Sequence, residues 1–225
     1  MVNQEQIRLY AGPSLTPRSR ELAAAHHITL CPPIRRGEVD ALRQQGYQGV
    51  IIIADGIFHL HLPVGHAELR DALRSGIRIF GLSSMGAIRA YEMIPFGMVG
   101  YGRVFQYFTE FDDFQDDEVA MLHTTEEPFK MLSEPMVHLR VAIGTWVSQN
   151  ILTQAQGDEM INHFKNLYFG DRTLSLLRKL LKQCGVQQVS ELVKNFDQYR
   201  IKNHDLESFL VNRVWTRTAF ISSKG

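Results

Sequence analysis

The sequence predicts an α/β fold with a doubly wound, mostly parallel sheet of the Rossmann or flavodoxin-like kind. Two observations lead to this prediction. Short apolar segments alternate with helical segments of about ten residues, which is typical of βαβ units. One of these segments, residues 50–54 (VIIIA), is a continuous run of mostly β-branched side chains, as expected of a strand buried on both faces in the middle of a parallel sheet.

The predicted elements of the first half follow in a regular order. Gly12-Pro13-Ser14 ends the first strand, and Pro32-Pro33 ends the second, because proline interrupts regular backbone hydrogen bonding. The strands are predicted at residues 7–10, 28–31, 50–54 and 77–80, and the helices at 16–26, 37–45, 66–75 and 87–92. The glycine-rich stretch 96–102 is predicted as a loop, either over a bound substrate or as a packing turn, and 103–109 as an amphipathic helix.

The last third of the sequence contains helical patterns alone. They cover residues 135–149, 153–167, 173–183, 189–199 and 205–215. The sequence therefore predicts an α/β core at residues 1–130 and an all-helical C-terminal region at residues 131–225, packed on that core.

Composition excludes several classes of protein. The 24 basic and 24 acidic residues give a formal net charge of zero, which provides no long-range field for nucleic acid or an anionic membrane. Two cysteines, Cys31 and Cys184, fit a reducing cytoplasm, and no apolar run reaches the ~20 residues that a membrane span needs. We expect a soluble, cytoplasmic protein that binds neither nucleic acid nor membrane.

The most informative stretch is residues 77–92, in which a strand, a tight turn and a helix succeed one another. This is the geometry of a nucleophile elbow, and the small-x-Ser-x-Gly pattern places Ser84 at the nucleophile position, with Leu82 replacing the first small residue. The backbone N–H groups of Met85 and Gly86 would then form part of an oxyanion hole. The alternative is that Ser83 or Ser84 merely caps the helix.

Two further groups of polar residues were considered as metal ligands. The acidic cluster of Asp112, Asp113 and residues 116–118 is more typical of a solvated loop than of a metal site, and the sequence contains no His-x-His or Cys-x-x-Cys motif. The pair His59 and His61 has no further ligand nearby and is interpreted as surface or packing residues. No metal and no cofactor is predicted.

Several stretches, taken in order, resemble the TfuA-like family, and together they span nearly the whole chain. They are Gly12-Pro13-Ser14-Leu15, Pro32-Pro33 with Arg36-Gly37-Glu38, Asp55-Gly56-x-Phe58, His66-x-Glu68-Leu69, Ser83-Ser84-Met85-Gly86-Ala87-Ile88-Arg89-Ala90-x-Glu92, Phe96-Gly97-Met98-x-Gly100, Asp116-Asp117-Glu118-Val119-Ala120 with His123, Ser133-Glu134-Pro135-Met136-Val137 with Arg140, and Tyr168-Phe169-x-x-Arg172-Thr173.

The resemblance implies a partner of YcaO-type, ATP-dependent enzymes that convert peptide-backbone amides to thioamides in the biosynthesis of ribosomally made, modified peptides (RiPPs). Two roles are open. The protein could hydrolyse the C-terminal thiocarboxylate of a ubiquitin-like sulfur carrier and so supply sulfur. Alternatively, it could be a non-catalytic adaptor that activates the YcaO partner or recruits the sulfur donor. Whether it forms a homodimer is left open.

Within the hydrolase hypothesis, Ser84 is the nucleophile and needs a base. His66 and His123 both fall in motifs of the resemblance. His66 is preferred because it follows the strongest strand, at the sheet edge that also carries Ser84, although either histidine could be structural. Asp55 would orient the base, or cap its turn with Gly56.

Arg89 would hold a carboxylate or thiocarboxylate, or else pair with Glu92 or an acid of residues 116–118. A persulfide on Cys31 is a further, weaker alternative. The remaining motif positions are expected to support the site: Ser83, Glu68, Glu92, Asp117, Glu118 and Arg140.

Overall fold

The computed structural model describes residues 6–56, 62–111 and 114–217. The residues Phe58, His59, His61, Asp112 and Asp113, which the sequence singles out, lie outside these ranges. In the described part of the chain, no helix is long and apolar enough to cross a membrane. The chain divides into two compact units, an α/β unit formed by residues 1–114 with 202–225 and a helical unit formed by residues 115–201.

The α/β unit contains a five-stranded sheet, and this confirms the predicted fold class. All its neighbouring strands run parallel, in the order β2-β1-β3-β4-β5. The strands are β1 (Ile7–Tyr10), β2 (Thr29–Cys31), β3 (Val50–Ile53), β4 (Arg78–Leu82) and β5 (Val99–Tyr101).

The edge strand β5 comes from the stretch that the sequence predicts as a loop. It is three residues long and carries Gly100 at its centre, so it has almost no side-chain pattern to indicate a strand. A Cβ atom on Gly100 would lie 2.1 Å from the Phe105 ring, so glycine is needed for that packing. Pairing with β4 makes this segment a strand, and local sequence does not reveal that pairing.

Helices cover both faces of the sheet. They are α1 (Pro17–Ala25), α2 (Glu38–Gln44), α3 (His66–Arg74), α4 (Met85–Glu92) and α5 (Arg103–Glu110). Strand β3 is fully buried, with Ile51 and Ile53 in one core and Val50 and Ile52 in the other. The continuous β-branched run is therefore in the middle of the sheet, as predicted.

The helical unit has its own core around the fully buried Trp146 and Phe164. Its helices are α6 (Met136–Ser148), α7 (Gln154–Lys165), α8 (Leu174–Gln183) and α9 (Val189–Lys194).

The helical unit also contains the buried carboxylate of Glu134. Burial alone would raise the pKa of Glu134, but the hydrogen bonds and charges of His138 and Arg200 outweigh it and lower that pKa.

The last helix, α10 (Ile201–Val211), begins four residues earlier than the pattern at 205–215 predicts. From residue 202 onward the chain belongs to the α/β unit, where Leu206, Phe209 and Leu210 are buried in the core that also contains Phe80. The sequence groups residues 202–225 with the helical region because helical periodicity says nothing about which core a helix joins.

Asp205 connects α10 to the start of α5. Its carboxylate accepts hydrogen bonds from the Arg103 N–H at 2.8 Å and the Val104 N–H at 3.0 Å. Burial raises the pKa of Asp205 to about 6, against the opposing effects of these two bonds and of the Arg103 charge. The carboxylate thus pairs with two backbone N–H groups at the start of α5 that would otherwise have no acceptor.

Close contact between α4 and the sheet depends on Gly86. A Cβ atom there would lie 1.7 Å from the Ile53 carbonyl oxygen, which is backbone and cannot move aside. Gly144, in α6, is also helical, but a Cβ atom there would meet nothing within 4 Å. The two glycines therefore differ in what an added methyl group would encounter.

We predict that Gly86→Ala destabilises the protein by about 3 kcal/mol or prevents folding, because the methyl group overpacks the α4–β3 contact. Gly144→Ala should instead gain about 0.5–1 kcal/mol, since alanine is the better helix former. Urea denaturation of both variants measures the difference. Equal free energies of unfolding for the two variants would contradict the close approach of α4 to β3.

We also predict a specific pH dependence from Asp205. Its pKa is higher in the folded chain than in the unfolded one, so folding binds a proton between about pH 4 and pH 6 and stability falls as pH rises through that window. Asp205→Asn should remove this dependence. Its free energy of unfolding should therefore rise by ~3 kcal/mol relative to that of wild type between pH 4 and pH 7. Denaturation at both pH values tests this, and an unchanged difference between the proteins would contradict it.

Candidate functional site

The connection from β4 to α4 is a tight turn with Ser83 at its centre. Ser83 has a φ of +64°, and the Ser84 N–H donates to the Leu82 carbonyl oxygen at 2.7 Å, which closes a γ-turn. This conformation is rare for a residue with a side chain and is strained. The fully buried Ser83 hydroxyl donates to the Lys202 carbonyl oxygen at 2.7 Å, which fixes the turn against the first turn of α10.

Ser84 occupies the N-cap position of α4 but does not act as a capping residue. Its φ and ψ are −131° and −119°, and its side chain makes no capping hydrogen bond. Within the described ranges, no hydrogen bond of the Ser84 hydroxyl is found, while 3% of the residue is exposed. The Ser83 hydroxyl therefore makes a hydrogen bond that holds the turn in place. The Ser84 hydroxyl makes none with the described part of the chain and is available for catalysis or binding.

The two N–H groups predicted for an oxyanion hole differ in availability. The Gly86 N–H donates to the Ala54 carbonyl oxygen at 3.3 Å, and the Ser84 N–H donates to the same oxygen at 3.1 Å. The Met85 N–H has no acceptor in the parts of the chain that the structure describes. At the start of α4, the free donor beside the Ser84 hydroxyl is thus that of Met85, at the positive end of the helix dipole.

Asp55, at the end of β3, anchors the Gly12-Pro13-Ser14 turn. One carboxylate oxygen accepts from the Gly12 N–H at 2.8 Å and the Ser14 N–H at 2.9 Å, and the other accepts from the Ser14 hydroxyl at 2.7 Å. Asp55 is 2% exposed. In this structure the carboxylate holds the turn after β1, and no histidine is hydrogen-bonded to it among the residues described.

His66 pairs with Glu92 rather than with Asp55. Its Nε2 lies 2.9 Å from a Glu92 carboxylate oxygen, which also accepts from Arg89 at 2.6 Å. Glu92 is the last residue of α4 and Ser84 precedes the first, so the eight-residue helix separates them by about 12 Å. The structure does not bring His66 within the roughly 3 Å of Ser84 that proton transfer needs.

The Arg89 side chain makes hydrogen bonds to two other residues of the α/β unit. Besides Glu92, it donates from Nε to the Val64 carbonyl oxygen at 2.9 Å, and the residue is 9% exposed. Of the alternatives that the sequence leaves open for Arg89, the pairing with Glu92 is present. Glu68 also has a structural bond, because its two oxygens accept from the Gly37 and Gly65 N–H groups at 2.9 and 2.7 Å.

The other predicted positions lie in the helical unit. Arg140 binds Glu118 through two hydrogen bonds of 2.8 and 2.7 Å, and Asp117 pairs with the buried Arg172 at 2.6 Å. His123 Nδ1 lies 2.8 Å from the Thr124 carbonyl oxygen. Because a carbonyl only accepts, Nδ1 carries a proton, so the lone pair of the neutral ring is on Nε2.

The structure places one further polar residue, which the sequence motifs do not indicate, beside the turn after β1. Asn203, 5% exposed, donates from Nδ2 to the Pro13 carbonyl oxygen at 3.2 Å. Lys202, Asn203 and Asp205 are all buried and lie within the first five residues of α10. The polar run at residues 202–205 (KNHD) is the sequence signal that indicates them.

The thiol of Cys31 is poorly suited to carry sulfur. Burial raises its pKa, and the hydrogen bond and charge of Arg8 only partly oppose this, so the reactive thiolate is disfavoured. Among the residues with described positions, no group of three His, Cys, Asp or Glu residues could hold a metal ion.

Comparison with known proteins supports the resemblance found in the sequence. The family model described as TfuA-like protein matches residues 55–173, just over half of the 225 residues. The matched segment includes Asp55, His66, Ser84 and His123, but neither Asn203 nor the turn at residues 12–14. No curated protein matches the chain.

The contrast between the two serines gives a stability prediction. Ser84→Ala should change the free energy of unfolding by less than about 0.5 kcal/mol, since no capping bond is lost. Ser83→Ala should cost about 1–3 kcal/mol, because it leaves the Lys202 carbonyl without that donor. Chemical denaturation compares these adjacent, chemically identical substitutions. A loss of about 1 kcal/mol for Ser84→Ala would show instead that Ser84 is a helix cap.

Proposed function

Because the chain belongs to the TfuA-like family, we propose that it supplies sulfur for thioamide formation by releasing sulfide from a thiocarboxylated, ubiquitin-like carrier protein. The family has an accessory role in thioamide formation and is associated with YcaO-type partners. The sulfide would be consumed by such a partner, which converts a peptide-backbone amide to a thioamide.

The reaction is an acyl transfer to water. Ser84 Oγ attacks the acyl carbon of the thiocarboxylate, its proton passes to a base, and the carbon–sulfur bond breaks with the proton returned to the departing sulfur. Water then cleaves the acyl-serine ester and restores the hydroxyl. The balance is RC(O)S⁻ + H₂O → RCOO⁻ + H₂S, so no oxidant, reductant or metal is required.

The observation that carries this proposal is the unused hydroxyl of Ser84 at the start of α4. A serine at an N-cap ordinarily accepts a helix N–H, and Ser84 does not. The neighbouring Met85 N–H would donate to the oxygen of the tetrahedral intermediate. One such donor contributes about 10²–10³-fold to the rate of an acyl transfer.

Two histidines of the matched segment, His66 and His123, are the candidates for the base. His66 is bonded to Glu92 at the opposite end of α4 from Ser84. His123 Nδ1 donates to the Thr124 carbonyl oxygen, an arrangement in which the neutral ring has its lone pair on Nε2. We propose that one of these two histidines accepts the serine proton.

A second candidate function is that of a non-catalytic adaptor, and one observation favours it. Tyr91, Ile94 and Phe96, at and just after the end of α4, are 46–48% exposed. Neighbouring exposed apolar side chains are typical of protein-binding surfaces. In this role the chain would bind the YcaO-type partner without cleaving the thiocarboxylate.

Sulfide release from a thiocarboxylated carrier tests the two functions. We predict that Ser84→Ala lowers the rate at least about 10³-fold in a protein that is still folded, as expected for loss of a nucleophile. Ser175→Ala, at an exposed serine of α8, is the matched control and should retain the wild-type rate. No release by wild type, combined with stimulation of a YcaO partner that receives free sulfide, would establish the adaptor function instead.

The same assay distinguishes the two histidines. A base must be unprotonated, so wild-type kcat/KM should rise with pH through the pKa of the base and then level off. The His→Asn substitution that removes the base should lower kcat/KM at least about 100-fold and abolish this rise, whereas the same substitution at the other histidine should retain both within a few-fold. A loss with His66→Asn alone would assign the base to His66 and require it to leave Glu92. Full activity of both variants would contradict a histidine base.

A further inference from the structure

One buried side-chain atom in the described part of the chain has no hydrogen-bond partner: Oδ1 of Asn203. Its amide orientation is fixed, because Nδ2 faces the Pro13 carbonyl oxygen at 3.2 Å and a carbonyl needs a donor opposite it. Turning the amide over would place two acceptors against each other. The unsatisfied atom is therefore an acceptor, and burying it without a donor is unfavourable.

Asn203 stands among the residues that form the end of the sheet near Ser84. The residue before it, Lys202, accepts the Ser83 hydroxyl, which fixes the turn that carries Ser84. Its own amide holds the Pro13 carbonyl, between two residues that bind Asp55. The residue before Asp55, Ala54, accepts the Ser84 N–H. These contacts form a closed ring through the turn after β1, the end of β3, the start of α4 and the start of α10.

The chemistry of the unsatisfied atom indicates what it binds. An amide oxygen attracts N–H or O–H donors and repels anions, so it does not suit sulfide or the charged end of a thiocarboxylate. The Met85 N–H suits that charged end. A peptide substrate carries a donor two bonds from its acyl carbon, namely the backbone N–H of its last residue.

We propose that Asn203 is a substrate-binding residue whose Oδ1 accepts the backbone N–H of the C-terminal residue of a peptide-like acyl substrate. This inference rests on the proposed function and names the part of the substrate that the site recognises. It explains why a polar side chain with an unsatisfied acceptor is kept in the first turn of α10. It also predicts selectivity for acyl groups attached to a peptide over simple thioacids.

A single hydrogen bond holds the amide, and its 3.2 Å length is at the long end of the normal range. Oδ1 gains a donor when substrate binds, while Nδ2 keeps its bond to the Pro13 carbonyl oxygen. Competition from water is weak at a buried acceptor, so this bond discriminates between substrates that have the N–H and those that lack it.

The test compares two carrier proteins that end in an ordinary carboxylate and so cannot be turned over. In one, the last amide is intact; in the other it is replaced by an ester, which removes the N–H and keeps the shape. Moving the ester one residue upstream gives a control carrier. We expect wild type to bind the intact carrier about tenfold more tightly than the terminal ester, and to bind the control carrier nearly as well as the intact one.

Asn203→Leu should bind the intact carrier and the terminal ester equally, at the weaker affinity. Asn212→Leu is the matched control, because Asn212 is an exposed asparagine just after α10 whose amide bonds Ser208, and it should keep the tenfold preference. The substrate-side comparison uses wild-type protein and stands even where Asn203→Leu fails to fold.

The inference is overturned when wild type binds both carriers equally, binds neither, or when folded Asn203→Leu keeps the preference. Its failure is distinguishable from failure of the proposed function. A binding preference without sulfide release would support the role of Asn203 and refute the hydrolase. Sulfide release from matching thiocarboxylates without preference for the N–H would do the reverse.

Discussion

The end of strand β3 organises the α/β unit through two adjacent residues. The Asp55 carboxylate accepts three hydrogen bonds from Gly12 and Ser14, and the Ala54 carbonyl accepts the N–H groups of Ser84 and Gly86. A buried carboxylate is unfavourable unless donors surround it, and here three donors do. The position of the turn after β1 depends on this compensation, and the start of α4 depends on the two bonds to the Ala54 carbonyl.

The two consecutive serines illustrate how one turn separates structure from chemistry. Ser83 has the strained backbone and is bonded to Lys202, while Ser84 is left with an unused hydroxyl. Strain of this kind persists only where surrounding contacts over-determine it. The Lys202 carbonyl and the Ala54 carbonyl supply those contacts from two different elements.

Many residues of the family motifs make hydrogen bonds or ion pairs that stabilise the fold. Glu68 joins two loops through backbone N–H groups, Glu118 pairs with Arg140, and the buried Arg172 binds Asp117 and several carbonyl oxygens. Each bond places a loop or helix end, which a family motif also requires. A family motif can therefore contain both residues that react and residues that position a loop or a helix end. Membership of the motif does not tell the two kinds apart.

The sequence alone determined the parallel α/β architecture and the strand–turn–helix at Ser84, because both rest on local periodicity and turn chemistry. It did not determine strand β5, which exists through pairing with β4, or the return of α10 to the α/β core. Nor did it determine the partners of polar side chains. His66 binds Glu92, 26 residues away, and Asn203 binds Pro13, 190 residues away. Such partners meet only when the chain is folded, so tertiary structure decided which hydroxyl and which acceptor stayed free.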